Sequence, residues 1–131
     1  MKIRKLLFLT ALCYVAMCAK RAYTTDQILD AIEPVESGGK DVTGDHGQAI
    51  GPFQLHEAYW RDSGVPGVYA DCHDEAYSRR VVLAYMQRYC PDALADGNAE
   101  IIARDHNGGP KGSQRASTLA YWHRVESAIN N

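Results

Sequence analysis

The stretch EPVESGGK, Glu33 to Lys40, sets two carboxylates three residues apart around a proline and follows them with Ser-Gly-Gly. Its reading decides the fold, because it fixes where the first helix stops and what that end presents. Upstream, Thr24, Thr25 and Asp26 are helix N-cap residue types, and Ile28, Leu29, Ile32 and Val35 recur at helical spacing. The pattern predicts a helix that stops at Gly38-Gly39, since glycine takes the left-handed conformation that ends helices. Pro34 lacks the N–H that would bond the carbonyl of Asp30, so a kink or a tightened last turn is expected. An acid at such an end is either a solvated stop or a catalyst. The stretch alone leaves both open.

The chain has 131 residues, one domain by length. Its start is set apart: Lys2, Arg4 and Lys5 precede the apolar run Leu6–Met17, and small residues follow at Ala16, Cys18 and Ala19. This is the pattern of a secretory leader over residues 1–19, with cleavage near 19–22 and a single domain over 23–131. The run falls short of the roughly 20 apolar residues that a membrane span needs, so no membrane insertion is expected after its removal. Losing residues 1–19 takes three of the 14 basic residues and none of the 16 acids, leaving a balance of −5. That balance disfavours a nucleic-acid partner. It also leaves two of four cysteines, Cys72 and Cys90. They flank a predicted helix, and about 15 helical residues hold the ends roughly 22 Å apart, too far for a disulfide. Two unpaired thiols are expected.

Beyond the glycine stop, KDVTGDHGQAIG (40–51) reads as a hairpin-like loop with at most two short strands. A second helix is predicted from Gln54 to about Asp62, with a turn at SGVPG. A third is capped by Asp71 or Asp74 and closed at Cys90-Pro91, with VVLAYM (81–86) as its buried centre. A fourth covers about Asn98 to His106. The last places Leu119, Trp122, Val125 and Ile129 on one face. The expected class is α+β, mostly α: about five helices, with a small β-hairpin between the first two.

Cutting a glycosidic bond takes a protonated carboxyl and an ionised one. Burial raises a carboxyl's pKa, and a wet polar loop does not. Glu36, beside Val35 at the negative end of a helix dipole, suits the acid. Asp45, in the polar loop GDHG, suits the ionised partner.

The phrases VESGG (35–39), GQAIGPFQ (47–54), EAYW (57–60), LAYMQRY (83–89), ARDHNGGPKG (103–112) and TLAYW (118–122) come in an order that resembles the invertebrate-type lysozymes, or destabilase family, over roughly residues 27–125. A looser likeness reaches the lytic transglycosylases. The resemblance implies a lysozyme-like fold and a secreted muramidase, extracellular or periplasmic, that cleaves the β-1,4 bond between N-acetylmuramic acid and N-acetylglucosamine in peptidoglycan. It places the catalytic acid on Glu36 and the nucleophile or stabiliser on Asp45, with Asp41 as rival for the second role. Glu33 falls outside the family phrase. Animal members are crowded with cysteines, and this chain departs from them.

Gln48, Gln54, His106, Asn107 and Gly108 are candidate sugar-binding residues, the glycines allowing close backbone approach. Tyr59, Trp60, Tyr121 and Trp122 read as core rather than as sugar platforms. His46, His56, His73, His106 and His123 show no metal-ligand spacing, so neither metal nor cofactor is expected. A monomer is expected. Other readings are a transglycosylase using Glu36 alone, an isopeptidase built on Ser37 and His106, and a non-catalytic wall-binding protein.

Overall fold

The computed structural model describes residues 22–131, and the expected leader lies outside the described residues. Helix α1 spans Thr25–Ser37. Thr24 and Gln27 cap it reciprocally: the Gln27 N–H donates to Thr24 Oγ1 at 3.2 Å and the Thr24 N–H to Gln27 Oε1 at 2.9 Å. Ile28, Leu29 and Ile32 carry its buried face. The helix runs through Pro34 and stops at Gly38, left-handed at φ +68°, whose N–H donates to the Pro34 carbonyl.

Three two-residue strands follow: β1 (Thr43–Gly44), β2 (Ala49–Ile50) and β3 (Leu55–His56). They form an antiparallel sheet in that order, with Thr43 opposite Ile50 and Ile50 opposite Leu55. Helix α2 (Glu57–Ser63) leads to α3 (Glu75–Tyr89), α4 (Pro91–Asp96), α5 (Ala99–Gly108) and α6 (Leu119–Ile129). The buried side chains of Ile32, Ile50, Phe53, Leu55, Val82, Met86, Ala93, Ile102 and Val125 join α1, the sheet and helices α3 to α6 in one core. Helix α6 packs against both α1 and α5.

The mostly helical α+β class holds, with two differences in detail. The second helix starts at Glu57 rather than Gln54, because Gln54 sits at φ +48° in a turn and Leu55–His56 pair as a third strand. The Cys90-Pro91 stop also opens a sixth helix, since Pro91 occupies the first helical turn, where a missing N–H costs nothing. Cys72 and Cys90 are buried and unpaired, and burial pushes their thiols up to about 11 and about 12.

Glu33 faces α3. Arg79 of α3 lies along the Asp26–Asp30–Glu33 face of α1, 2.8 Å from Asp30 and 3.5 Å from Glu33. Glu33 is 12% exposed there. Burial, then Glu75, raises its pKa against the pull of Arg79.

The last turn of α5 is fixed by buried polar contacts. Arg104 Nε donates to Thr118 Oγ1 at 2.9 Å, its Nη1 to Glu100 at 2.8 Å and its Nη2 to the Arg115 carbonyl at 3.0 Å. Asp105 Oδ1 accepts the Ser113 N–H at 2.7 Å. Such a fully satisfied network holds one geometry, because breaking any member strands a buried polar group.

The sheet is set against the Cys72 segment at Gly51. A Cβ there would sit 1.9 Å from the Cys72 carbonyl oxygen, on a residue at φ +78°. Gly51→Ala combines a backbone clash with a left-handed conformation, and is expected to cost at least about 2 kcal/mol. Denaturant unfolding measures it; an unchanged midpoint would show that the two segments separate freely.

Candidate active site

The end of α1 presents Glu36 to three other helices. Tyr121 of α6 donates its hydroxyl to Glu36 Oε1 at 2.7 Å. His106 of α5 places Nε2 3.3 Å from the same oxygen. Tyr59 of α2 meets His106 Nδ1 at 3.0 Å, and its ring stacks on Tyr85 of α3 at 3.7 Å. The side chains are secluded, His106 at 4% and Glu36 at 18% exposure. A carboxylate only accepts, so Nε2 carries the hydrogen of the Glu36 contact. Nδ1 then accepts from Tyr59 in a neutral ring, or donates to it in an imidazolium.

These contacts reverse one expectation. Burial is the largest influence on Glu36 and raises its pKa, but the hydrogen bond and charge of His106, the Tyr121 hydroxyl and Arg124 together hold it below its ordinary value. Burial also pushes the Tyr59 and Tyr121 hydroxyls well above the usual tyrosine value, so both keep their protons.

Asp45 sits in the turn between β1 and β2, 56% exposed, with Oδ2 3.2 Å from His56 Nε2. Asp45 and His46 are both left-handed, at φ +48° and +55°. Such conformations cost on the order of 1–3 kcal/mol each for residues other than glycine, and cluster at functional sites. The turn is braced from below. The Gln54 amide nitrogen donates to the carbonyls of Val42 at 2.9 Å and Gly51 at 3.0 Å. Its Oε1 lies close over Gly44, so a Cβ there would push the Gln54 amide aside.

Glu36 and Asp45 line one cleft of about 430 Å³, shared with Ala49, Gln54, Leu55, His56, Tyr59, His106, Asn107 and Gly109. Of the sugar-binding candidates, Gln54, His106 and Asn107 lie on its wall, but Gln48 and Gly108 are not among the lining residues. The Gln48 carbonyl accepts from Tyr69 at 3.0 Å, and the Gly108 carbonyl from Arg115 at 2.9 Å. Asp41 pairs with His73 at 2.6 Å. Ser37 donates to the Glu33 carbonyl, and the His106 nitrogens face Tyr59 and Glu36, so Ser37 and His106 are not hydrogen-bonded to each other. Among the described residues, no three His, Cys, Asp or Glu side chains are grouped to hold a metal ion, and no helix is long and apolar enough to cross a membrane.

Tyr59, Tyr121 and His56 were not expected at the site. The tyrosines read as core, and their rings are indeed packed. The signal was the hydroxyl: a tyrosine at a buried helix position needs a polar partner.

A small sheet inserted after the first helix, with an acid at that helix end and a second acid in the sheet's turn, defines a lysozyme-like protein. Comparison with known proteins agrees. The destabilase family profile matches residues 25–128, and the chain belongs to that family. A lysozyme of Meretrix lusoria is 38% identical over 107 residues, covering 78% of this chain and 88% of that protein. Invertebrate-type lysozyme 6 of Caenorhabditis elegans is 33% identical, covering 86% and 96%. With a lysozyme of Magallana gigas the identity is 43%, over 59% of this chain and 58% of that protein. The crystal structure of Tapes japonica lysozyme superposes with a TM-score of 0.68 at 34% identity, over 81% of this chain and 93% of that one. Meretrix lusoria lysozyme in complex with Aeromonas hydrophila PliI gives 0.69 at 33% identity, over 82% and 93%. These relatives are lysozymes, which are glycoside hydrolases.

Tyr121→Phe removes a donor from the Glu36 carboxylate and keeps its burial. The Glu36 carboxyl is then expected to titrate at higher pH than in the parent, as read by carbon-13 NMR of labelled glutamate. The depressed pKa stabilises the parent above the unfolded carboxylate value, and that contribution is lost as pH falls through the folded pKa. At neutral pH the variant should therefore be less stable by about 1.5–3 kcal/mol, the worth of a hydrogen bond to a charged group. A Glu36 titration unmoved in the variant would remove Tyr121 from the account.

Proposed function

We propose that this chain is a secreted muramidase that hydrolyses the β-1,4 bond between N-acetylmuramic acid and N-acetylglucosamine in peptidoglycan. The observation that carries the reading is the shared cleft, with a secluded Glu36 on one wall and a solvated Asp45 on another. Glu36 donates the proton to the leaving oxygen, and Asp45 attacks or stabilises the positive sugar centre. The basic-then-apolar start of the chain supports export.

Glu36 must hold a proton to act. In the free protein its partners favour the ionised form, while burial, the largest influence, opposes them. A sugar that fills the cleft and expels water strengthens the effect of burial and moves Glu36 toward the neutral acid. Because the free carboxyl is depressed, kcat/KM should fall as pH rises through the Glu36 pKa, so activity belongs to the acidic side.

Two substitutions test the assignment in a wall-clearing assay. Glu36→Gln should lower the rate by roughly 100-fold or more, the usual worth of a general acid. Asp45→Asn should lower it substantially as well. Parental clearing by Glu36→Gln would end the assignment. Mass spectrometry of the fragments should show hydrated reducing ends; anhydro-muramyl ends together with an active Asp45→Asn would mark a transglycosylase instead.

A further inference from the structure

We propose that Arg124 reads a carboxylate of the substrate strand, on the lactyl ether or the peptide stem, and so favours muramyl-peptide chains over neutral amino-sugar chains. The inference rests on the muramidase reading and assigns its substrate preference to one side chain. Arg124 is on α6, three residues after Tyr121 and on the same side of the helix. Its guanidinium lies over the Tyr121 ring, 5.4 Å from the centroid. The hydroxyl of that ring is 2.7 Å from Glu36. The ring is thus a strut between a cation and the proposed acid, and the cation is near enough to help hold Glu36 ionised.

Among the described residues, several other arginines are occupied, and Arg80, which like Arg124 lies over a tyrosine ring, is on α3 beside Tyr77 rather than next to Glu36. Arg61 pairs with Glu57 at 2.6 Å and Arg104 with Glu100 at 2.8 Å, while Arg79 lies among Asp26, Asp30, Glu33 and Glu75. Arg88 donates to the Asp62 carbonyl and Arg115 to the Gly108 carbonyl. Arg124 is exposed and, among the described residues, has no carboxylate at ion-pair distance. An uncompensated cation beside a group that must carry a proton works against the proposed chemistry. An anionic group of the substrate resolves the conflict. It takes the guanidinium as partner, and by offsetting the charge it removes one influence that keeps Glu36 ionised. A neutral N-acetylglucosamine chain has no carboxylate and leaves the conflict in place. One contact therefore both binds the strand and favours the acid form of Glu36.

The test compares the parent, Arg124→Gln and Arg124→Lys on soluble peptidoglycan fragments, on the same fragments with their carboxyls amidated, and on neutral N-acetylglucosamine oligomers. The parent should prefer the carboxylated fragments, mainly through KM. Arg124→Gln should reduce the ratio of kcat/KM for carboxylated over amidated fragments by about two- to fivefold, the range of an exposed charged contact. Arg124→Lys should restore part of it, and added salt should shrink the parent's ratio toward that of Arg124→Gln. A parental ratio in Arg124→Gln, or an equal loss on all three substrates, overturns the proposal. Affinities measured in the Glu36→Gln background read the same ratio without turnover. A parent that cleaves none of the substrates ends the muramidase reading, and the affinity ratio still decides Arg124.

Discussion

The hydrogen bonds that converge on the Glu36 carboxylate are the constraint around which the molecule is arranged. One oxygen at the end of α1 meets a hydroxyl from α6 and an imidazole from α5, and that imidazole is held by a hydroxyl from α2. Four helices therefore share one polar point. Burying a carboxylate without partners would cost several kcal/mol. With them the ion is tolerated, and its partners cannot drift apart without stranding it. The helix end that presents Glu36 is made by Gly38, so a feature that stops the chain also aims the side chain.

His106 acts in this arrangement only if the last turn of α5 holds its place. That turn is also where the helix has its most polar buried stretch, Arg104, Asp105 and His106 in succession. Arg104 and Asp105 tie the turn to Thr118, Arg115 and Ser113, and Gly112 lets the following loop pass so close to the Arg104 carbonyl that no Cβ fits. Three consecutive buried polar residues would be destabilising in a plain core helix. Here two anchor the third.

Particular residues explain how far the sequence could be read. The Thr24–Gln27 cap, the apolar face of α1 and the glycine stop are local, and they were legible because local patterns cause them. The unpaired cysteines followed from the length of α3. Helix α4 was hidden because Pro91 has two meanings, an end for the helix before it and a start for the helix after it. The strand at Leu55–His56 was hidden because its partner is Ile50, not its neighbours in sequence. Glu36 could be picked out as the candidate acid, but its depressed pKa could not. That shift depends on Tyr121, 85 residues away, and on His106, both brought to it by tertiary packing.

The sheet shows how a destabilase-family chain with two buried thiols positions a functional loop. Strands of two residues are not stable by themselves. Two ion pairs brace the region, Asp41–His73 and Asp45–His56, but all four side chains are about half exposed, and such pairs contribute at most about 1 kcal/mol. The stronger ties are neutral. Gln54 bridges two carbonyls, Tyr69 donates to the Leu55 carbonyl at 2.7 Å, and Phe53 and Leu55 are buried beneath the strands. Burying two such side chains stabilises by about 1.5–3 kcal/mol each, more than either ion pair. The position of Asp45 is therefore set from the core side of the sheet, and the exposed histidine pairs adjust the charge of the turn more than its place.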